Sequence, residues 1–287
     1  MARIAYVNGH FVHKSEAFVH IEDRGYQFAD AVYEVWALFD GKLADPEGHF
    51  ARLERSLAEL RIDMPMSRAA LTVVLKETVR RNRIREGLVY LQVSRGVATR
   101  DHAFPAPGTP PAVIVTVSRV DREATEARAA KGVAVVTTPE NRWGRCDIKT
   151  VGLLPNALAK QKAREAGAVE AWYVDDLGFV TEGASSNAWI VDGDGVLRTR
   201  DTNANILRGV TRLSLLDVAR EAGLKVEERP FTPDEARAAK EAFITGAGSL
   251  VLPVVTVDGK PVGTGAPGPV AQRLRRLYIE RAKATAI

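Results

Sequence analysis

The stretch Asp147-Ile148-Lys149-Thr150-Val151-Gly152-Leu153-Leu154-Pro155-Asn156 sets a primary amine between an apolar, strand-like residue and a small-residue turn that opens a helix. Most lysines stay in water, because stripping an ammonium of its solvent is costly. A lysine flanked by Ile148, Val151, Leu153 and Leu154 is expected to lose much of that solvation. Burial disfavours the charged form and leaves an amine able to attack a carbonyl. Three other stretches carry chemistry. Glu182-Gly183-Ala184-Ser185-Ser186-Asn187 concentrates a carboxylate and small polar residues beside an apolar strand. Gly209 and Thr211 stand where a helix begins, offering backbone N–H groups and a hydroxyl to a phosphate, although taken alone plain helix capping is the stronger reading. Gly246-Ala247-Gly248-Ser249 follows a strand and is a second candidate for backbone contacts to phosphate. Finally, the loop Arg95 to Pro105 carries Arg95, Arg100 and His102. Guanidinium grips carboxylate through paired hydrogen bonds, so this loop is either an anion clamp or a solvated hairpin tip.

The elements that must position these groups follow from periodicity and punctuation. Asn8-Gly9 between two short apolar runs reads as a hairpin turn. Glu22 to Ala29 reads as a loop entering a strand at Val32, with Tyr33 and Glu34 on opposite faces of that strand. Phe50, Leu53, Leu57 and Leu60 make one helical stripe, with Arg52 off it and next to His49; Ser67 caps a second helix striped by Leu71, Val74, Leu75 and Val79. Leu88–Val93 and Ala112–Val117 read as strands around the arginine loop. A helix from about Pro155 to Ala166 ends at Gly167, and Thr232-Pro233-Asp234-Glu235 has the pattern of a capping box. The domain reading is an N-terminal α/β domain over 1–118, a charged, Ala-rich linker over 119–131, and a C-terminal domain over 132–287.

Composition excludes several classes. At 287 residues, 46% hydrophobic and 26% charged, the chain has ample material for a core. Its formal charge of +4 is spread among acidic neighbours, and only the arginines at 80 to 85 could attract a polyanion, so nucleic-acid binding is not expected. One cysteine, Cys146, forbids an internal disulfide and is read as a buried thiol without a chemical role. The start, Met1 to Val7, is too short and polar for a signal peptide, and no run approaches a membrane span, so a cytoplasmic protein is expected. His10 and His13 lack companion ligands and are read as exposed rather than metal-binding.

One ligand needs a reactive lysine, a carboxylate, a phosphate-binding helix start and a small-residue turn together: pyridoxal 5′-phosphate. On these motifs, in this order over nearly the whole length, the chain resembles the fold-type IV (class IV) pyridoxal-phosphate aminotransferases, and within them those acting on D-amino acids. The resemblance implies a two-domain α/β (α+β) fold with a smaller N-terminal domain, a larger C-terminal domain built on a β-barrel-like sheet, and the cofactor between them in a homodimer. It implies that Lys149 forms the Schiff base and shuttles the proton, and that Glu182 partners the pyridine nitrogen. Arg52, the N–H groups of Val210 and Thr211, the Thr211 hydroxyl, and backbone at Gly246 and Ala247 would hold the phosphate. Ser185, Ser186, Asn187, Leu207 and Gly209 would pack around ring and phosphate. Arg100 and His102, with Tyr33, would trap the substrate α-carboxylate. Ping-pong transamination between a D-amino acid, such as D-alanine or D-glutamate, and 2-oxoglutarate or pyruvate follows. The alternatives are a branched-chain L-aminotransferase, an (R)-selective amine transaminase, an aminodeoxychorismate lyase, or a non-catalytic carrier of the cofactor. Branched-chain enzymes typically place a tyrosine five residues after the lysine, where this chain has Leu154. A departure lies at Gly246-Ala247-Gly248, where family members often carry hydroxyls, so phosphate contacts there should be backbone only.

Overall fold

A computed structural model describes residues 3–202 and 205–287. Met1 and Ala2, the head of the stretch weighed against a signal peptide, lie outside the described residues, as do Asn203 and Ala204. The chain divides into two compact units, one of Met1–Asp121, Ile148–Gly152 and Thr285–Ile287, the other of Arg122–Asp147 and Leu153–Ala284.

In the first unit the strands β1 (Ile4–Val7), β2 (His10–His13), β3 (Ala31–Phe39), β4 (Lys42–Leu43), β5 (Gly87–Ser94) and β6 (Ala112–Arg119) form one antiparallel sheet in the order β2-β1-β6-β5-β3-β4. The first turn is the expected Asn-Gly hairpin, with both residues at positive φ and Val7 paired to His10. The segment before β3 differs from the expected loop: Arg24–Phe28 forms a short helix, α1, because the Asp23 carboxylate caps the Gly25 N–H. Helices α2 (Pro46–Glu59) and α3 (Arg68–Asn82) cover one face of the sheet. Their apolar stripes meet Trp36, Leu38, Val89, Leu91 and Val115 in a single core. Ser67 caps α3 through the N–H of Ala70, as its sequence position implied. The arginines at 80 to 85 are largely compensated, Arg80 and Arg81 by Glu77 and Arg85 by Asp40.

The second unit is built on β7 (Val133–Pro139), β8 (Glu170–Val174), β9 (Val180–Gly183), β10 (Asn187–Val191), β11 (Leu197–Thr199), β12 (Val226–Glu228), β13 (Glu241–Gly246), β14 (Leu250–Val257) and β15 (Lys260–Pro261). They make one mixed sheet, β12-β11-β10-β13-β14-β7-β8-β9 with β15 on β14, and it curls like half a barrel so that β9 approaches β10. Helices α4 (Arg122–Lys131), α5 (Leu154–Glu165), α6 (Val210–Glu221), α7 (Pro233–Ala238) and α8 (Pro269–Thr285) complete it. The stretch read as a linker therefore holds a full helix, α4, whose Glu126 pairs with Arg275 of α8 at 2.7 Å. The capping box at Thr232 forms in both directions. Trp172, Phe231, Ile190, Ile244 and Val254 pack together in one buried core with Ala129 of α4 and Ala236 of α7. Among the described residues no helix is long and apolar enough to cross a membrane, and no group of His, Cys, Asp and Glu is arranged to hold a metal ion. His10 and His13 are exposed.

Candidate active site

Lys149 sits on the crossover from β7 to β8, yet its backbone belongs to the first sheet. Strand β4 pairs only with Leu38 and Phe39, which leaves the opening residues of β3 without a strand on that side. The segment 148–152 fills this edge. Tyr33 N donates to the Lys149 carbonyl at 3.0 Å, Val151 N donates to the Ala31 carbonyl at 3.2 Å, and Val32 bridges Thr150. Lys149 N donates to Ser56 Oγ of α2 at 3.3 Å, and Ile148 is buried in the core. The Lys149 side chain lies over Tyr33, its Nζ 4.1 Å from the ring centroid, and Tyr33 stacks on Tyr90 at 5.6 Å. The desolvation expected from apolar neighbours is only partial. Lys149 is half-buried, and of the four neighbours Leu153 and Leu154 are exposed. What holds the amine is the edge pairing and an aromatic face, a favourable seat for a cation.

Alternation along β3 turns Glu34 to the opposite face, where its side chain is fully buried against α2. Arg52 grips it side-on, Nε to Oε1 at 2.7 Å and Nη2 to Oε2 at 2.8 Å, and His49 Nδ1 meets Oε2 at 2.7 Å. Residues 49 and 52 are one turn apart on α2, so both reach the same acid. Burial favours the neutral acid, but the Arg52 charge and the bonds from Arg52 and His49 hold the Glu34 carboxyl down at about 2. Burial also pushes the His49 imidazole below its usual range, against the pull of Glu34. Glu34 and His49 were not singled out from the sequence. The face that Glu34 occupies was legible there, but its partners were not.

The arginine loop resolves into two roles. Arg95 is buried and committed, with its guanidinium on the Asp30 carboxylate and on the carbonyls of Leu60 and Arg61. It is not available as an anion clamp. Arg100 and His102 are exposed, and both lie against the Phe28 ring, at 5.0 Å and 5.4 Å.

In the second unit Glu182 lies near the end of β9, buried. Arg142 Nη1 donates to Oε1 at 2.5 Å, Asn187 Nδ2 to Oε2 at 2.9 Å, and Leu207 N to both oxygens at 3.2 Å. Burial pushes this carboxyl above its usual range, and Arg142 opposes the shift. Arg142 is itself forked onto Glu140 and lies over the Tyr173 ring at 4.3 Å. Ser185 and Ser186 both donate their hydroxyls to Glu170, at 2.7 Å and 3.0 Å, and Glu170 also accepts from Ser185 N. Gly209 begins α6 and offers no side-chain cap, so Val210 and Thr211, both buried, open a helix whose first N–H groups lack that partner. A Cβ on Gly209 would stand 2.0 Å from Asn187 Oδ1, which requires glycine where Asn187 braces Glu182. Gly246 and Ala247 are half-buried at the end of β13. The sequence reading missed Arg142 and Glu170. No local pattern marks either, since Arg142 meets Glu182 and Glu170 meets the two serines only in the folded chain. Cys146 is buried and free, its thiol pushed up to about 11 by burial.

The first unit thus carries a half-buried primary amine, and the second a buried acid braced by a cation and a helix start without a side-chain cap. The family model described as amino-transferase class IV matches residues 31–257, and the chain belongs to that family. It is 44% identical over 268 residues to a D-alanine aminotransferase of Bacillus licheniformis, covering 93% of each chain. It is 39% identical over 279 residues to a D-alanine aminotransferase of Staphylococcus aureus (strain MSSA476), covering 96% of this chain and 97% of that one. Among solved structures it is similar to a branched-chain amino acid aminotransferase from T.th. described with pyridoxamine 5′-phosphate, at TM-score 0.88 and 30% identity over 98% of this chain and 94% of that one. The Escherichia coli branched-chain enzyme superposes at TM-score 0.90 and 25% identity over 98% and 95%. The expected fold, a smaller N-terminal α/β unit followed by a larger unit on a curled sheet, is the one observed.

Proposed function

We propose that this aminotransferase moves an amino group between a D-amino acid, such as D-alanine or D-glutamate, and a 2-oxo acid, pyruvate or 2-oxoglutarate, with pyridoxal 5′-phosphate as its cofactor. The observation that carries the reading is the near full-length similarity to two enzymes named D-alanine aminotransferase, in a chain that keeps Arg100 and His102 out of the core. The fit to the cofactor rests on the chain's own groups. Glu182 is a buried acid aimed between Asn187 and Leu207, the first turn of α6 lacks a side-chain cap, and glycine at 209 leaves room beside Asn187.

When bound, pyridoxal 5′-phosphate supplies an aldehyde and an electron-accepting ring. Lys149 Nζ would hold that carbonyl carbon and, as a free amine, would move the Cα proton of the substrate. Glu182 would partner the pyridine nitrogen, and the Arg142 charge opposes the upward push of burial on its carboxyl. Arg52, oriented by Glu34, binds phosphate with the N–H groups of Val210 and Thr211, the Thr211 hydroxyl and backbone at Gly246 and Ala247. Ser185, Ser186, Asn187, Leu207 and Gly209 pack around ring and phosphate, the serines held in place by Glu170. Tyr33, Arg100 and His102 fix the α-carboxylate, and that pin decides which enantiomer offers its Cα–H to Lys149.

The rival reading, a branched-chain L-aminotransferase, draws on the two structural likenesses. Half-reactions with D-alanine, L-leucine and (R)-1-phenylethylamine separate the readings: D-alanine is expected to bleach the cofactor band fastest, and preference for L-leucine would overturn the D assignment. Replacing Arg100 with alanine is expected to raise KM for D-alanine by about 10- to 100-fold, the worth of a charged hydrogen bond, with a smaller effect on the amine. Equal losses would remove Arg100 from the site. A homodimer in the cytoplasm completes the reading. Phe18, Ile21 and Tyr26, each more than 70% exposed, offer an apolar surface for a second copy. Sedimentation should give twice the 31.2 kDa chain mass.

A further inference from the structure

The loop that carries Arg100 and His102 has no strand or helix of its own between Val97 and Pro111. Few backbone bonds hold it: an isolated bridge from Val97 to Asp23 and a bond from Ala98 N to the Glu22 carbonyl at 3.3 Å. Side chains must therefore set its position, and they converge on one residue. We infer that Asp30 is a positioning residue for the carboxylate-binding loop, acting through Arg24, Arg95 and Phe28; the inference rests on the assignment of Arg100 and His102 proposed above.

The Asp30 side chain is 9% exposed and sits between two guanidinium groups. Oδ2 accepts from Arg24 Nε at 2.9 Å and Arg95 Nε at 2.6 Å, and Oδ1 accepts from Arg95 Nη2 at 3.0 Å. Each arginine then reaches the loop. Arg24 Nη1 donates to the carbonyl of Asp101, the residue between Arg100 and His102, at 2.6 Å. Arg95 opens the loop, and its guanidinium covers the Phe104 ring at 3.7 Å. Phe28, one helical turn beyond Arg24, has the Arg24 guanidinium 4.6 Å from its ring centroid, Arg100 at 5.0 Å and His102 at 5.4 Å. A single carboxylate thus fixes both the backbone between the two anion-binding side chains and the aromatic platform they rest on. Its loss leaves two neighbouring cations with no anion between them. The loop then samples many positions, and the entropy of ordering it falls on carboxylate binding.

The test uses holoenzyme and two probes that react with the bound aldehyde without turnover: aminooxyacetate, which has a carboxylate, and methoxyamine, which lacks one. Loss of the visible band gives the half-saturating concentration of each. For Asp30→Asn the expected result is an aminooxyacetate value raised by about tenfold or more, with methoxyamine within about twofold of the parent, and partial recovery in Asp30→Glu. Should Asp30→Asn fail to fold, Phe28→Leu decides, since it removes the platform and leaves the ion network whole; the same selective loss is expected. Equal weakening for both probes, or no change for either, overturns the inference. Arg100→Ala run in parallel separates the two levels. If Arg100→Ala selectively weakens aminooxyacetate and the Asp30 and Phe28 variants do not, the positioning role alone fails. If Arg100→Ala has no effect either, the reading of the loop fails with it.

Discussion

Lys149→Ala is expected to lower transamination on the order of 10⁴-fold or more while the protein stays folded. In the proposed function the loss combines the nucleophile that would hold the cofactor carbonyl with the base that would move the Cα proton. The fold should survive because its share of Lys149 is backbone. The bond from Tyr33 N to the Lys149 carbonyl and the bond from Lys149 N to Ser56 Oγ do not involve the side chain. What the side chain contributes is the seat of Nζ over Tyr33, worth about 0.5–1 kcal/mol at a partly exposed site. Rapid-quench assays of amino transfer, absorbance of the bound cofactor and a denaturant titration check the three parts together. An unchanged visible band in the variant, with activity retained, would remove Lys149 from the site. Lys149→Arg is the companion control: it keeps a cation over Tyr33, but a guanidinium does not deprotonate in proteins, so activity should stay lost.

Glu34→Ala should cost the most stability among the site variants, about 3–5 kcal/mol, because it removes the one anion from a buried set and strands its cation. Arg52 makes two short bonds to Glu34, and His49 makes a third. Glu34→Gln keeps the volume and one acceptor, so it should lose less. In the proposed function it should still raise the dissociation constant for pyridoxal 5′-phosphate by about tenfold, since Arg52 is no longer aimed. The same cluster predicts acid sensitivity. The Glu34 pKa in the fold is about 2 against an ordinary value of 4.5, so the unfolded chain takes up its proton first. Stability from this group is present above about pH 5 and is lost as pH falls toward 2; the shift corresponds to about 3 kcal/mol. His49 acts in the same direction from a higher starting point, because its folded pKa is also lowered, from 6.5. Denaturant midpoints measured from pH 7 down to pH 3 should therefore fall more steeply in the parent than in Glu34→Gln. Parallel curves would mean that the pair carries no such linkage.

The local signals were reliable wherever a residue type and its neighbours suffice. Asn8-Gly9 makes the hairpin, Ser67 and Thr232 cap their helices, and the stripe Phe50, Leu53, Leu57 faces the core. The chemistry-bearing stretches also stood out, because Lys149, Glu182-to-Asn187 and Leu207-to-Thr211 each break the ordinary pattern of their surroundings. The short helix α1 escaped notice because five residues hold too little periodicity to register, and its cap acts through one aspartate. The helix α4 was hidden in a stretch read as a charged linker, since its single buried residue, Ala129, leaves almost no apolar stripe.

Sequence by itself determined which chemistry-bearing side chains the chain offers and on which faces of their own elements they lie, because side-chain period and turn chemistry are local properties. Tertiary structure decided which of several equivalent groups does what. Arg95 and Arg100 sit on one loop with the same guanidinium, yet Asp30, 65 residues from Arg95, takes the first and leaves the second at the surface. Likewise Glu34 was paired with Arg52, Glu182 with Arg142, and the Lys149 segment with the open edge of β3. Each of these choices depends on strand register and on burial between distant segments, and no window of sequence contains both partners.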